Sequence, residues 1–150
     1  MDARARTSSS VTSVVGAALP HDSASLHVTG RASYTDDLPE PRGLLHLAVG
    51  MSPVAHGRIR QLDLSEVSAA HGVVDICTAA DVVGENNFGA IVADDPIFAV
   101  DEVLYAGQSV FAVAAVTVDA ARKAAKKAKI DCEELDAILD PLTAVEKSSF

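Results

Sequence analysis

"SVFAVAAVTVDAARKAAKKAKID", residues 109–131, decides the fold class. Residues 109–116 are nearly all apolar and read as a buried strand. Asp119 then offers an N-cap to a helix over "AARKAAKKAKI" (120–130). Ala121, Ala124, Ala125 and Ala128 recur at i, i+3, i+4 and i+7, with Arg122, Lys123, Lys126, Lys127 and Lys129 around them. A stripe of Ala lets a helix approach a sheet closely, and the cations read as a solvated face. A further strand near "IDCEEL" (130–135) follows. A buried strand, a sheet-packing helix and another strand describe a sheet covered by helices.

Working outward, "LLHLAVG" (44–50) is a strand with Leu45, Leu47 and Val49 on one face and Leu44, His46 and Ala48 on the other. "RIRQLDL" (58–64) and "VVDICT" (73–78) are two more. Between them Ser65 is placed to cap a short helix, "EVSAA", which His71-Gly72 closes. Thr78 and Asp81 have capping-box spacing. "GENNFG" (84–89) is a loop by composition, and "PIFAV" and "VLYAG" read as short extended pieces around Asp101-Glu102. "DPLTAVEK" starts a last helix. Toward the N-terminus, "PHDSASLHVTGRASYTDDLPEPRG" reads as an extended lead-in with a short strand near Leu26–Thr29. Residues 1–15 read as a disordered Ser-rich tail and 16–150 as one domain. The expected class is α+β, a mixed sheet with packed helices.

The 150 residues, 49% hydrophobic, suffice for one domain with a core. The formal net charge of −9 argues against nucleic-acid binding, which rests on Lys and Arg neutralising phosphates. Cys77 and Cys132 have no CxxC spacing and no His at ligand spacing, so two free thiols in a reducing cytoplasm are expected rather than a zinc site. No run of 18 apolar residues spans a membrane. Arg4 and Arg6 precede "VTSVVGAALP", but Asp2, Thr12 and Ser13 spoil the pattern of an export signal.

Chemistry is scarcer. "MSPVAHGRIRQLDL" (51–64) holds Ser52, His56, Arg58 and Asp63, the residue types of an acyl-transfer or anion site. Ser52 lacks a G-x-S-x-G setting, and no sequence cue fixes an acid behind His56. Asp36-Asp37 and Asp94-Asp95 are adjacent pairs, which a strand points to opposite faces. No glycine motif for phosphate is present. No catalytic or metal-ligating set emerges.

Four segments in order, "LPHDSASLHVTGRASYTDDLP", "SPVAHGRI", "TAADVVGENNFG" and "VLYAGQSVFAV", resemble the opening α/β hammerhead domain of the molybdenum-cofactor-binding subunit in the xanthine dehydrogenase and aldehyde oxidase family. The resemblance covers roughly residues 15–145. It implies that the chain is one domain of a larger enzyme, without its catalytic remainder. That enzyme would oxidise xanthine and hypoxanthine, with a molybdenum cofactor, iron–sulfur clusters and FAD, and NAD as final acceptor, all held elsewhere. The domain's partners would be the rest of the molybdenum-binding subunit, the iron–sulfur/FAD subunit or domain and the purine. It implies a structural role for "SPVAHGRI", with Ala55 and Gly57 allowing a tight path and His56 and Arg58 bonding backbone or facing a neighbouring domain. It also implies that Ile91 and Val92 line the substrate funnel, with no catalytic residue, metal or cofactor in the domain itself. The corresponding domain of an aldehyde or carbon monoxide oxidoreductase is the first alternative, and a free-standing interaction module the second. Two positions depart from the family pattern: Cys132 stands where a Tyr is usual and Asp136 where a Pro is usual, so a last strand packed differently or less rigidly is expected.

Overall fold

A computed structural model describes residues 15–149, so the tail expected over 1–15 lies, except for Val15, outside the described residues. The described chain divides into two units, one ending at Glu40 and one beginning at Pro41.

In the first unit the strand expected near Leu26–Thr29 is instead a short helix, α1 (Ala24–Val28). The deciding signal is its stop. Gly30 adopts φ +68°, its N–H reaches the His27 carbonyl at 3.2 Å, and the Arg31 N–H reaches the Leu26 carbonyl at 2.8 Å. That is the paired closure a left-handed residue gives a helix end. A 3₁₀ turn at Thr35–Asp37 follows, fixed by the Asp37 carboxylate accepting from the Tyr34 N–H at 3.0 Å.

The second unit holds six strands: β1 (His46–Met51), β2 (Gly57–Asp63), β3 (Val73–Thr78), β4 (Glu102–Val103), β5 (Ser109–Ala115) and β6 (Lys129–Glu134). They form two three-stranded sheets, β1-β5-β3 and β4-β2-β6, antiparallel throughout. The fold is α+β, as expected. Successive strands alternate between the sheets at every step, and none pairs with its neighbour in sequence. The helices are α2 (Ser65–Ser68), α3 (Val118–Ala125) and α4 (Pro141–Glu146). "PIFAV" forms no strand; the Ala99 N–H and the Ile97 carbonyl bond Ser109 singly instead.

Helix α3 begins two residues earlier than Asp119 suggested. Thr117 is its N-cap, its hydroxyl accepting from the Ala120 N–H at 3.1 Å, while Asp119 sits in the first turn and pairs with Lys123 at 2.7 Å. The helix also stops at Ala125, not Ile130, because Lys129 and Ile130 enter the β6 ladder opposite Asp63 and Leu62. Likewise Ser65 is the first residue of α2 rather than its cap: the Asp63 carboxylate accepts from the Ser65 N–H at 2.9 Å.

The core joins both sheets. Phe111, Val110 and Val113 of β5, Val103, Val67 and Ala124 are buried together, and Ile59, Leu62 and Ile130 of the second sheet pack against them. The two faces of β1 differ in burial. Leu47, Val49 and Met51 lie exposed, and Ala48 and Gly50 face inward. The reason is space: Gly50 lies opposite Phe111, and a Cβ there would fall 1.9 Å from the ring.

Candidate functional site

The stretch 51–64 resolves into structure. Ser52 is buried; its hydroxyl donates to the Val54 carbonyl at 2.8 Å and accepts from the Val54 N–H at 3.2 Å, closing the turn out of β1. The Ser52 backbone bonds Gln108 and Gly107. His56 is committed elsewhere: its Nδ1 meets the Asp136 carbonyl at 2.9 Å and its Nε2 meets Glu102 Oε1 at 2.8 Å. No Ser–His relay forms, since each side chain already has its partners. The Asp136 carbonyl and then the Glu102 carboxylate hold the His56 imidazolium above its ordinary range. Arg58 sits in register with Glu102 and Glu133 across β2, and Arg60 pairs with Glu133. Asp63 is held low by its hydrogen bonds from Ser65. Gly57 runs between β4 and β6, where a Cβ would lie 2.8 Å from the Glu133 carbonyl oxygen, so the tight path expected of this residue is real.

The last strand keeps its backbone pairing around Cys132 and up to Asp136. β6 is paired from Lys129 to Glu134, and the Leu135 N–H continues to the His56 carbonyl at 3.0 Å. Asp136 also bonds Lys147 beyond α4, which holds its carboxyl low. Burial and the neighbouring Asp131 push the Cys132 thiol up. Cys132 and Cys77 are free thiols in different sheets.

The surface that stands out is the loop between the 3₁₀ turn Ala79–Asp81 and β4. The Thr78 N–H and hydroxyl both donate to Asp81 at 2.8 Å, ending β3 cleanly. Asn86 then imitates a strand neighbour: its amide donates to the Phe98 carbonyl at 2.7 Å and accepts from the Phe98 N–H at 3.0 Å. Asn87 Oδ1 accepts from the Gly89 and Asp95 N–H groups at 3.0 and 3.1 Å, and the Phe88 N–H reaches the Asp95 carbonyl at 3.0 Å. Gly89 is obligatory, because a Cβ would lie 2.0 Å from the Val92 carbonyl oxygen. On this pinned frame Ile91 is 97% exposed and Val92 60%, with Phe88 exposed beside them in sequence. Composition identified the loop but not the roles of Asn86 and Asn87. The available signal was two amides beside a glycine, side chains able to bond backbone at a distance.

Among the described residues no three His, Cys, Asp or Glu side chains converge to hold a metal, and no helix is long and apolar enough to cross a membrane.

The family described as aldehyde oxidase and xanthine dehydrogenase, a/b hammerhead domain, matches residues 29–136. A xanthine dehydrogenase of Oryza sativa subsp. japonica is 43% identical over 136 residues, 91% of this chain and 10% of that protein. Aldehyde oxidase 2 of Rattus norvegicus is 42% identical over 137 residues, again 91% of this chain and 10% of the relative. The solved CO dehydrogenase from Oligotropha carboxidovorans superposes with a TM-score of 0.75 at 28% identity, over 86% of this chain and 16% of that one. The chain thus spans about a tenth of the length of the curated relatives it matches. On its sequence match and its two-sheet fold, the chain belongs to the aldehyde oxidase and xanthine dehydrogenase family, of which it carries the a/b hammerhead domain.

Proposed function

We propose that the chain is the hammerhead domain of a molybdenum hydroxylase of the xanthine dehydrogenase type, and that its Ile91–Val92 loop tip walls the approach of a purine to the reacting centre. The loop carries this reading: apolar side chains held out on a hydrogen-bonded frame suit a surface that strips water from a flat ring and orients it by shape. Among the described residues no three His, Cys, Asp or Glu side chains converge on a metal, and no step of the reaction is assigned to this domain. Molybdenum cofactor, iron–sulfur clusters and FAD, with NAD as acceptor, belong to other parts of the longer protein or to partner subunits. The whole would work in the cytoplasm, where Cys77 and Cys132 stay reduced.

The test uses the complete enzyme. Ile91→Ala should raise KM for xanthine several-fold with little loss of kcat, because it touches approach and not bond-making. Its melting temperature should not move, since Ile91 buries almost nothing within the domain. Unchanged KM for xanthine would overturn the assignment. A second reading, an enzyme for aldehydes, is favoured by the 42% identity to an aldehyde oxidase, one point below the xanthine dehydrogenase figure. Comparing kcat/KM for xanthine and for an aromatic aldehyde decides between them. The 150-residue chain alone should bind no molybdenum and oxidise neither substrate.

A further inference from the structure

An open groove of about 670 Å³ runs along β1, between that strand and the C-terminal half of α3 with the start of β6. Gly50, Met51, Arg122, Ala125, Lys126 and Ile130 are among its walls. Both flanking strands are sheet edges. Beyond the ladder with β5, no backbone group of His46–Met51 bonds another backbone group among the described residues. Half the N–H and C=O groups of such an edge point away from its partner and can take a further strand.

The side chains beside this edge are sorted by face. On the α3 side stand Arg122 and Lys126, neither with an ion-pair partner among the described residues, whereas Lys123 and Lys129 are paired with Asp119 and Glu66. Val49 and Met51, which also line the groove, belong with Leu47 to the exposed apolar row on the outer face of β1. A strand laid along β1 would alternate its side chains between these two environments. Two unpaired cations on a chain of net charge −9 call for carboxylates, and the apolar row calls for aliphatic side chains.

We propose that this edge takes an extended segment alternating acidic and aliphatic residues, supplied by the remainder of the longer polypeptide and added as a fourth strand to β1-β5-β3. The origin of the segment rests on the reading above, in which the chain is one domain of a larger protein; the binding itself involves no catalysis.

The probe is a fluorescein-labelled octapeptide alternating valine and glutamate, titrated against the 150-residue chain by anisotropy. Saturable binding is expected. The double variant Arg122→Glu/Lys126→Glu should weaken it at least about tenfold. Methylating alternate peptide nitrogens of the probe should weaken it as much, since that removes strand-pairing donors and leaves every side chain in place. A valine–lysine octapeptide should not bind. Absence of saturation up to about 1 mM, equal binding of the lysine peptide, or indifference to either change would overturn the proposal. Each of these outcomes leaves the KM test of Ile91 untouched, so the two ideas can fail separately.

Discussion

Gly50 is the position where the inside of the first sheet has least room. A methyl group there would fall 1.9 Å from the Phe111 ring, which is fully buried and has nowhere to move. Gly50→Ala should therefore cost about 1–3 kcal/mol by overpacking. Gly84 makes a contrasting pair: nothing lies within 4 Å of its would-be Cβ, but its φ is +101°. Gly84→Ala should cost about 1 kcal/mol from backbone strain alone. Urea unfolding of both variants separates the two causes, since a second change, Phe111→Leu, should ease the first and leave the second unaltered. Sequence conveyed little of this. A glycine at the end of a strand reads as a terminator, and only the partner across the ladder reveals that it makes room for a ring. The likeness did imply that His56 bonds backbone, as its Nδ1 does at the Asp136 carbonyl, but which residues partner it was not legible, because Asp136 and Glu102 are far off in the chain.

At the level of elements, the strand most rich in apolar residues was the most legible. β5 is covered on both faces for most of its length, so its pattern needs no phase. β1 needed one, and the bulkier face proved to be the outer one because β5 and α3 already fill the inner space. Helix α3 illustrates the competition at a boundary. Two residues could have capped it, and the hydroxyl of Thr117 does. Thr117→Ala should lose about 1 kcal/mol. Asp119→Ala should lose under about 0.5 kcal/mol, since the Lys123 pair is exposed to solvent. Equal losses in thermal unfolding would return the cap to Asp119. The loop tip at Ile91 and Val92 came from family likeness, whereas the groove beside α3 was hidden in a row of lysines that reads as an ordinary wet helix face until β1 is seen lying next to it.

For the molecule as a whole, charge sets a window of stability. Asp63, Asp81, Asp136 and Asp140 are all held low by hydrogen bonds, from Ser65, Thr78, Lys147 and Thr143 respectively. Their contributions are present above the ordinary carboxylate range and fade as pH falls through the folded values. His56 works in the opposite sense. Its folded value is raised, so its contribution is complete below the ordinary 6.5 and fades as pH rises through the folded value. The urea midpoint of the native chain should exceed that of His56→Gln by more at about pH 5.5 than at about pH 9, and a larger gap at high pH would contradict the assignment. Finally, the strict alternation of strands between two sheets has a consequence for how the chain is made. Neither sheet can be assembled from a contiguous stretch. The first waits for β5, whose last residue is Ala115, and the second for β6, whose last is Glu134. On a ribosome, a nascent chain would carry β1, β2 and β3 without any of their final partners until most of it had emerged. Such a wholly non-local pairing scheme slows the search, and it leaves Ile59, Leu62 and Ile76, which the finished fold packs against its core, in need of protection during synthesis.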